Sequence, residues 1–349
     1  MRRSIIDDSR AFWAEVVRPL LQSHFPEDMQ QMAVGFFGYG SEVLRLDDKY
    51  STDHHFGLRV NILLPEALKN ARGPAIEEGL KVYLPQQWRG RELRESYTST
   101  KGVEFASLEQ HLRSTIGLDR PPESFIEWLK IPEEDITHIV AGEVWYDPSG
   151  RFTSIRETLS AYYPEPVRLR RLAHWCRYFS GMGVYALNRA LLRNNLLYAS
   201  TTFARSLRWG VQIAFLLDRR YYPYDKWMTD IFHSLPRMGQ RLTHIVNEAP
   251  RLEIPWARKL DLLHEMSDIL DAAMVEDGLI THHPQYRVSE TSGYRLLEYA
   301  YAELIRRCPT EIQGIVPEWE QVHWEGFHSK FVAGVNLTDW RRMLVLEER

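Results

Sequence analysis

The residue types best suited to chemistry fall between positions 38 and 59. Gly38-Tyr39-Gly40-Ser41 is followed, after eleven intervening residues, by Asp53-His54-His55-Phe56-Gly57 and then by an apolar run. Glycines at 38 and 40 allow a tight backbone turn at the end of a strand. Ser41 at the head of a short helix over residues 42–46 would aim free N–H groups at an anion, as a bound triphosphate requires. Side chains two apart on a strand share a face, so Asp53 and His55 point together and His54 points away. One carboxylate and one imidazole on one face suit a divalent cation. Arg59 continues the same face, and its planar cationic head makes it a candidate phosphate ligand.

The elements that must position these residues can be read from periodicity. Residues 9–23 predict an opening helix capped by Ser9, and residues 32–37 and 58–64 predict strands on either side of the glycine segment. Residues 65–81 read as helix, 102–106 as a third strand, and 108–116 as an amphipathic helix ending before Pro121-Pro122. A further apolar strand-like run, 138–147, closes on the turn sequence Asp147-Pro148-Ser149-Gly150. Beyond it the helical period dominates residues 165–220, 225–248, 254–275 and 290–307, with prolines supplying the breaks. The expected class is α+β, with a mixed α/β domain over 1–150 and an all-helical domain over 151–349 that contributes to the substrate cleft.

The spacing of Gly40-Ser41 to Asp53 resembles the nucleotidyltransferase superfamily of DNA polymerase β, whose pattern is Gly-Ser, about a dozen residues, then Asp-x-Asp or Asp-x-Glu. More specifically, GYGSEVLRLDDKYSTDHHFGLRV is similar to an uncharacterised bacterial family with that fold. Gly142-Glu143-Val144-Trp145-Tyr146-Asp147, Tyr162-Tyr163-Pro164 and Arg219 to Trp227 extend the resemblance over roughly residues 30–235. It implies phosphate contacts at Gly40 and Ser41, and a magnesium or manganese site at Asp53 and His55 with Glu104 as a third acidic residue. It also implies Glu143 as the base for an acceptor hydroxyl. The departure is His55, where superfamily enzymes carry a second carboxylate; a neutral imidazole suits manganese better than magnesium. Arg219, Tyr221 and Lys226 combine cations with flat stacking surfaces and are candidate nucleotide contacts.

Composition narrows the partners. With 43 Lys+Arg against 47 Asp+Glu the net charge is −4, which excludes a strongly basic nucleic-acid coat. A small-molecule acceptor is therefore favoured over RNA, although a local patch would serve for nucleic acid. No run approaches the length of a membrane span, so no membrane partner is expected, and Asp7 and Asp8 fall where a signal peptide needs apolar residues. A soluble, cytoplasmic protein is expected, with Cys176 and Cys308 acting as small apolar residues. The leading expectation is a metal-dependent nucleotidyltransferase that moves a nucleoside monophosphate from a nucleoside triphosphate to a hydroxyl. Its rival is a catalytically degenerate nucleotide sensor or interaction module, for which His55 is the main argument.

Overall fold

The computed structural model describes residues 4–50, 57–93, 100–282 and 296–317; Asp53, His54 and His55 lie outside the described residues. The chain divides into two compact units. Among the described residues the first takes 4–122 and 135–161, and the second takes 123–134 and 162–317. This division groups residues 151–161 with the strands and residues 123–134 with the helices, where periodicity suggests a single boundary at 150.

The first unit is built on a four-stranded sheet. Its strands are β1 (Ala33–Phe36), β2 (Val60–Leu64), β5 (Val103–Ser107) and β6 (Glu143–Tyr146), while β3 (Gln87–Trp88) and β4 (Arg91–Glu92) form a separate hairpin. The sheet order is β5-β2-β1-β6, with β2 parallel to β5 and antiparallel to β1. The sequence pattern explains the layering. Val60, Ile62 and Leu64 alternate onto one face and join Phe12, Val17, Leu21, Ile76 and Leu80 in a buried core. The opposite face carries Gly35, Asn61 and Glu104, which are mutually aligned by register. Opposite β1, strand β6 pairs Val34 with Tyr146 but Gly35 with Val144, so Trp145 is a bulge.

Several local expectations are corrected. The opening helix begins at Ile5 with Ser4 as its cap, because the Ser4 hydroxyl accepts the Asp7 N–H at 3.3 Å. Ser9 sits inside that helix, and its hydroxyl instead accepts the Arg59 N–H at 3.1 Å. Residues 41–45 are successive turns rather than a helix, since Arg45 adopts a left-handed φ of 58° that a right-handed helix cannot contain. The run 138–147 is split by Gly142 into the end of a helix, Thr137–Val140, and β6. Strand β2 begins at Val60, not 58.

The second unit is helical among its described residues. Phe125–Lys130 is opened by a capping box between Ser124 and Glu127. Glu165–Arg177 runs through a π-helical segment, Tyr178–Tyr185, into Ala186–Leu192. The long helix Leu196–Leu217 follows, then Asp225–Phe232, Met238–Glu248, Trp256–Glu276 and Glu298–Arg307. Asn194, with φ at 52°, separates the third and fourth of these. No helix among the described residues is long and apolar enough to cross a membrane. Both cysteines are buried free thiols, and burial pushes the Cys176 thiol up.

Candidate functional site

Strand β1 ends in a turn shaped by two glycines, Gly38 at φ 93° and Gly40 at φ 133°, conformations that a side-chain-bearing residue strains to adopt. Contacts from residues 135 and 138 help to hold this turn. The Gly38 N–H donates to the His138 carbonyl at 3.1 Å, the Tyr39 ring lies over the His138 ring at 3.6 Å, and the Tyr39 hydroxyl donates to Asp135 at 3.3 Å. Downstream, the Ser41 carbonyl accepts from Leu44 at 3.2 Å and Leu46 at 2.9 Å. The backbone N–H groups of Gly40, Ser41, Glu42 and Val43, and the Ser41 hydroxyl, have no acceptor or donor partner among the described residues. Successive unsatisfied amides beside positive-φ glycines are the groups that backbone uses to hold phosphate oxygens, and the Glu42 carboxylate lies against them, since a Cβ on Gly40 would stand 2.5 Å from its Oε1.

Asn61 ties this turn to the neighbouring strands. Its carbonyl oxygen accepts the Phe37 N–H at 3.1 Å, and its amide donates to Glu104 Oε2 at 2.7 Å. The amide therefore links the residue before the glycine turn to the carboxylate facing Asn61 across the parallel β2–β5 ladder. Sequence reading places Glu104 as a candidate ligand but passes over Asn61. The signal was present: a lone amide inside Val60-Asn61-Ile62-Leu63-Leu64, buried on both faces, must have its hydrogen bonds met by specific partners.

Arg59 is committed to the turn. It donates to the Tyr39 carbonyl at 3.0 Å and the Phe37 carbonyl at 3.4 Å, pairs with Glu42 at 3.3 Å, and stacks 4.3 Å from the Phe36 ring. To reach a phosphate it would have to leave these partners. Glu143 is likewise engaged. Arg10 Nε donates to it at 2.9 Å, Trp145 Nε1 at 2.7 Å, and Arg45 also pairs with it. Burial alone would push its carboxyl up, but the hydrogen bonds from Arg10, Trp145 and Arg45 outweigh this and hold its pKa below the usual glutamate range. A general base needs a free lone pair and a pKa near the working pH; in this setting Glu143 anchors two arginines instead.

His111 packs under the turn. Its ring contacts Phe37 at 5.5 Å and Phe152 at 6.1 Å, and its Nε2 is buried without a partner. Burial pushes its pKa down from 6.5 to about 4. The folded protein then binds fewer protons here than the unfolded chain, so stability is full above pH 6.5 and falls as pH drops toward 4. The slope is at most about 1.4 kcal/mol per pH unit. Urea unfolding at about pH 7 and about pH 5 should show a loss of stability on acidification that shrinks in His111→Gln. An equal loss in both proteins would remove His111 as its source.

The remaining candidates belong to the second unit. Arg219, at φ 52°, pairs with Glu165 at 2.8 Å, and Lys226 lies 4.9 Å over the Trp227 ring. Tyr221 packs against Tyr162 at 4.8 Å and Tyr163 at 4.9 Å, and burial pushes its phenol up. Gly40, Ser41, Arg59, Glu104 and Glu143 all belong to the first unit. No group of three or more His, Cys, Asp or Glu side chains arranged for a metal occurs among the described residues, of which Asp53 and His55 are not part.

Residues 128–228 match a domain of unknown function, DUF4037. No match was found among curated proteins. Among solved structures, a nucleotidyltransferase-like protein from Exiguobacterium sibiricum 255-15 is similar over 86% of this chain and 90% of that one, with 12% identity and a TM-score of 0.37.

Proposed function

We propose that the first unit is a phosphate-binding domain of nucleotidyltransferase type, which moves a nucleoside monophosphate from a nucleoside triphosphate to a hydroxyl of a small molecule. The observation that carries this reading is the Asn61 bridge, which brings the Glu104 carboxylate into one hydrogen-bonded unit with the base of the Gly38–Gly40 turn. The free amides of residues 40–43 and the Ser41 hydroxyl hold phosphate oxygens, and Arg59 keeps the turn in shape from behind. The acceptor oxygen bonds to the α-phosphorus as the bridging oxygen departs with pyrophosphate, and the hydroxyl proton passes to water. Glu104, with Asp53 and His55, would hold a divalent cation. Carboxylate oxygens suit magnesium or manganese, and the imidazole tilts the set toward manganese. When bound, that cation neutralises charge on the phosphates. What the protein supplies is position and fixed dipoles.

The test is a thermal-shift titration of wild type, Asp53→Ala and Glu104→Gln with ATP, GTP, CTP and UTP, each with magnesium, manganese or no metal. A ligand at about 100 times its Kd adds about 2.7 kcal/mol, or a rise on the order of 5–10 °C. The expected result is a metal-dependent rise that both variants lose. Absence of a shift with any nucleotide overturns the reading. Pyrophosphate release then separates an enzyme from a nucleotide sensor.

A further inference from the structure

Residues 166–217 contain eight arginines and no aspartate or glutamate. Arg168, Arg170 and Arg171 are buried, and Arg177 and Arg208 pair with Glu298 and Asp225 at 3.0 Å and 2.7 Å. Arg205 also has a partner, whereas Arg189 and Arg193 are different. Arg189 Nε donates to the Tyr185 hydroxyl at 3.3 Å and Arg193 Nη1 to the Arg189 carbonyl at 3.0 Å, and neither meets a carboxylate among the described residues. They flank the turn at residues 193–195, where Ala186–Leu192 gives way to Leu196–Leu217 and the two helices pack together. On this turn three leucines face water: Leu192 is 46% exposed, Leu196 50% and Leu197 82%, with Tyr198 beside them at 43%. An exposed apolar tip rimmed by unpaired cations needs a partner that is both anionic and apolar.

The candidate partners differ in how well they meet that need. A second copy of the chain is a poor fit, because a two-fold contact sets the same patch against itself and would oppose Arg189 and Arg193 to their own images with no carboxylate between. A folded acidic protein requires about 800 Å² per partner, from some 20–30 residues, whereas this tip offers one turn. Single-stranded nucleic acid binds through successive aromatic platforms, and one tyrosine, Tyr198, among three exposed leucines gives it a single stacking surface. An anionic bilayer surface matches every feature. Leucines and a tyrosine enter the boundary between headgroups and acyl chains, while arginines reach headgroup phosphates. The N–H groups of Leu196 and Leu197 at the start of a 22-residue helix add positive charge at the same place, while that of Tyr198 is capped by Asn195 at 3.2 Å.

We propose that the turn joining Ala186–Leu192 to Leu196–Leu217 docks on anionic lipid headgroups, a reversible contact that lies on a membrane without crossing it. It stands independently of the nucleotide-binding reading, since its residues take no part in that site.

Cosedimentation of the full chain with vesicles of equal parts phosphatidylglycerol and phosphatidylcholine, against vesicles of phosphatidylcholine alone, tests it. Binding is expected only to the anionic vesicles and is expected to weaken at high salt. Leu197→Asp should lower that affinity roughly tenfold or more with an unchanged melting temperature, because the side chain contributes almost no folded-state contact. Arg189→Gln/Arg193→Gln should flatten the salt dependence. A polarity-sensitive dye on Leu197→Cys, selective because Cys176 and Cys308 are buried, should report an apolar environment only with anionic vesicles. Equal binding to both vesicles, no binding to either, or a concentration-dependent dimer abolished by Leu197→Asp would each overturn the proposal.

Discussion

Gly142→Ala is expected to destabilise the first unit by about 3 kcal/mol or more, the largest effect of any glycine change near the site. Two costs combine there. Gly142 has φ at 74°, and a Cβ on it would stand 2.0 Å from the Phe36 carbonyl oxygen, a backbone atom that cannot rotate away. Two other glycines separate the costs. Gly150, at φ 68°, has nothing within 4 Å of its would-be Cβ, so Gly150→Ala should cost only the left-handed penalty of roughly 1–2 kcal/mol. Gly35 has an ordinary φ, but its Cβ would stand 2.0 Å from the Glu143 carbonyl oxygen, so Gly35→Ala isolates the clash. Urea unfolding of the three variants checks this: if Gly142→Ala costs no more than Gly150→Ala, β1 and β6 do not approach as closely as described. The approach matters because it seats Glu143 opposite Phe36, beside the Arg10 and Arg45 pair, just where β1 hands over to the glycine turn. Arg156 braces the same corner, donating to the Val140 and Gly142 carbonyls at 2.7 Å and 3.1 Å.

How much of this could be read beforehand depended on whether the determining contact was local. The strands at 33–36 and 60–64 fall inside the predicted runs, and the helix Leu108–Ile116 has the predicted bounds, because alternation and the Ser107 cap are local signals. The short helix expected after Ser41 is replaced by turns because Arg45 is left-handed, which propensity does not reveal. The run 138–147 is uniformly apolar and masks the break that Gly142 makes. In the candidate site, glycine, serine and Glu104 were visible as residue types, but their connection runs through Asn61, whose two partners lie 24 and 43 residues away. Arg59 and Glu143 looked available for chemistry on charge alone. Their commitments, to the carbonyls of residues 37 and 39 and to Arg10 and Arg45, are long-range. The grouping of residues 123–134 with the helical unit was equally hidden, since the contacts that tie it there, those of Arg171 among them, span about 40 residues.

That arginine leads to the second large expectation. Arg171 is fully buried and donates to the Trp128 and Ile131 carbonyls at 3.1 Å and 2.5 Å, capping the C-terminal end of Phe125–Lys130. It also pairs with Glu133 at 3.2 Å and lies 5.0 Å over the Tyr163 ring. Glu133, itself buried, accepts the Trp175 indole N–H at 2.7 Å. Arg171→Met keeps the length and apolar stem but strands the Glu133 charge and deprives two carbonyls of their donor, so the loss should be about 3–5 kcal/mol. Glu133→Gln should cost less, because the glutamine oxygen still accepts from Trp175 and the arginine keeps its two carbonyls. The double variant carries no stranded charge, so its loss should fall below the sum of the two single losses, with a coupling on the order of 1–3 kcal/mol. A urea double-mutant cycle measures that coupling directly. Strict additivity would mean that the pair does not interact, leaving the two carbonyl bonds and the Trp175 bond to Glu133 to attach residues 123–134.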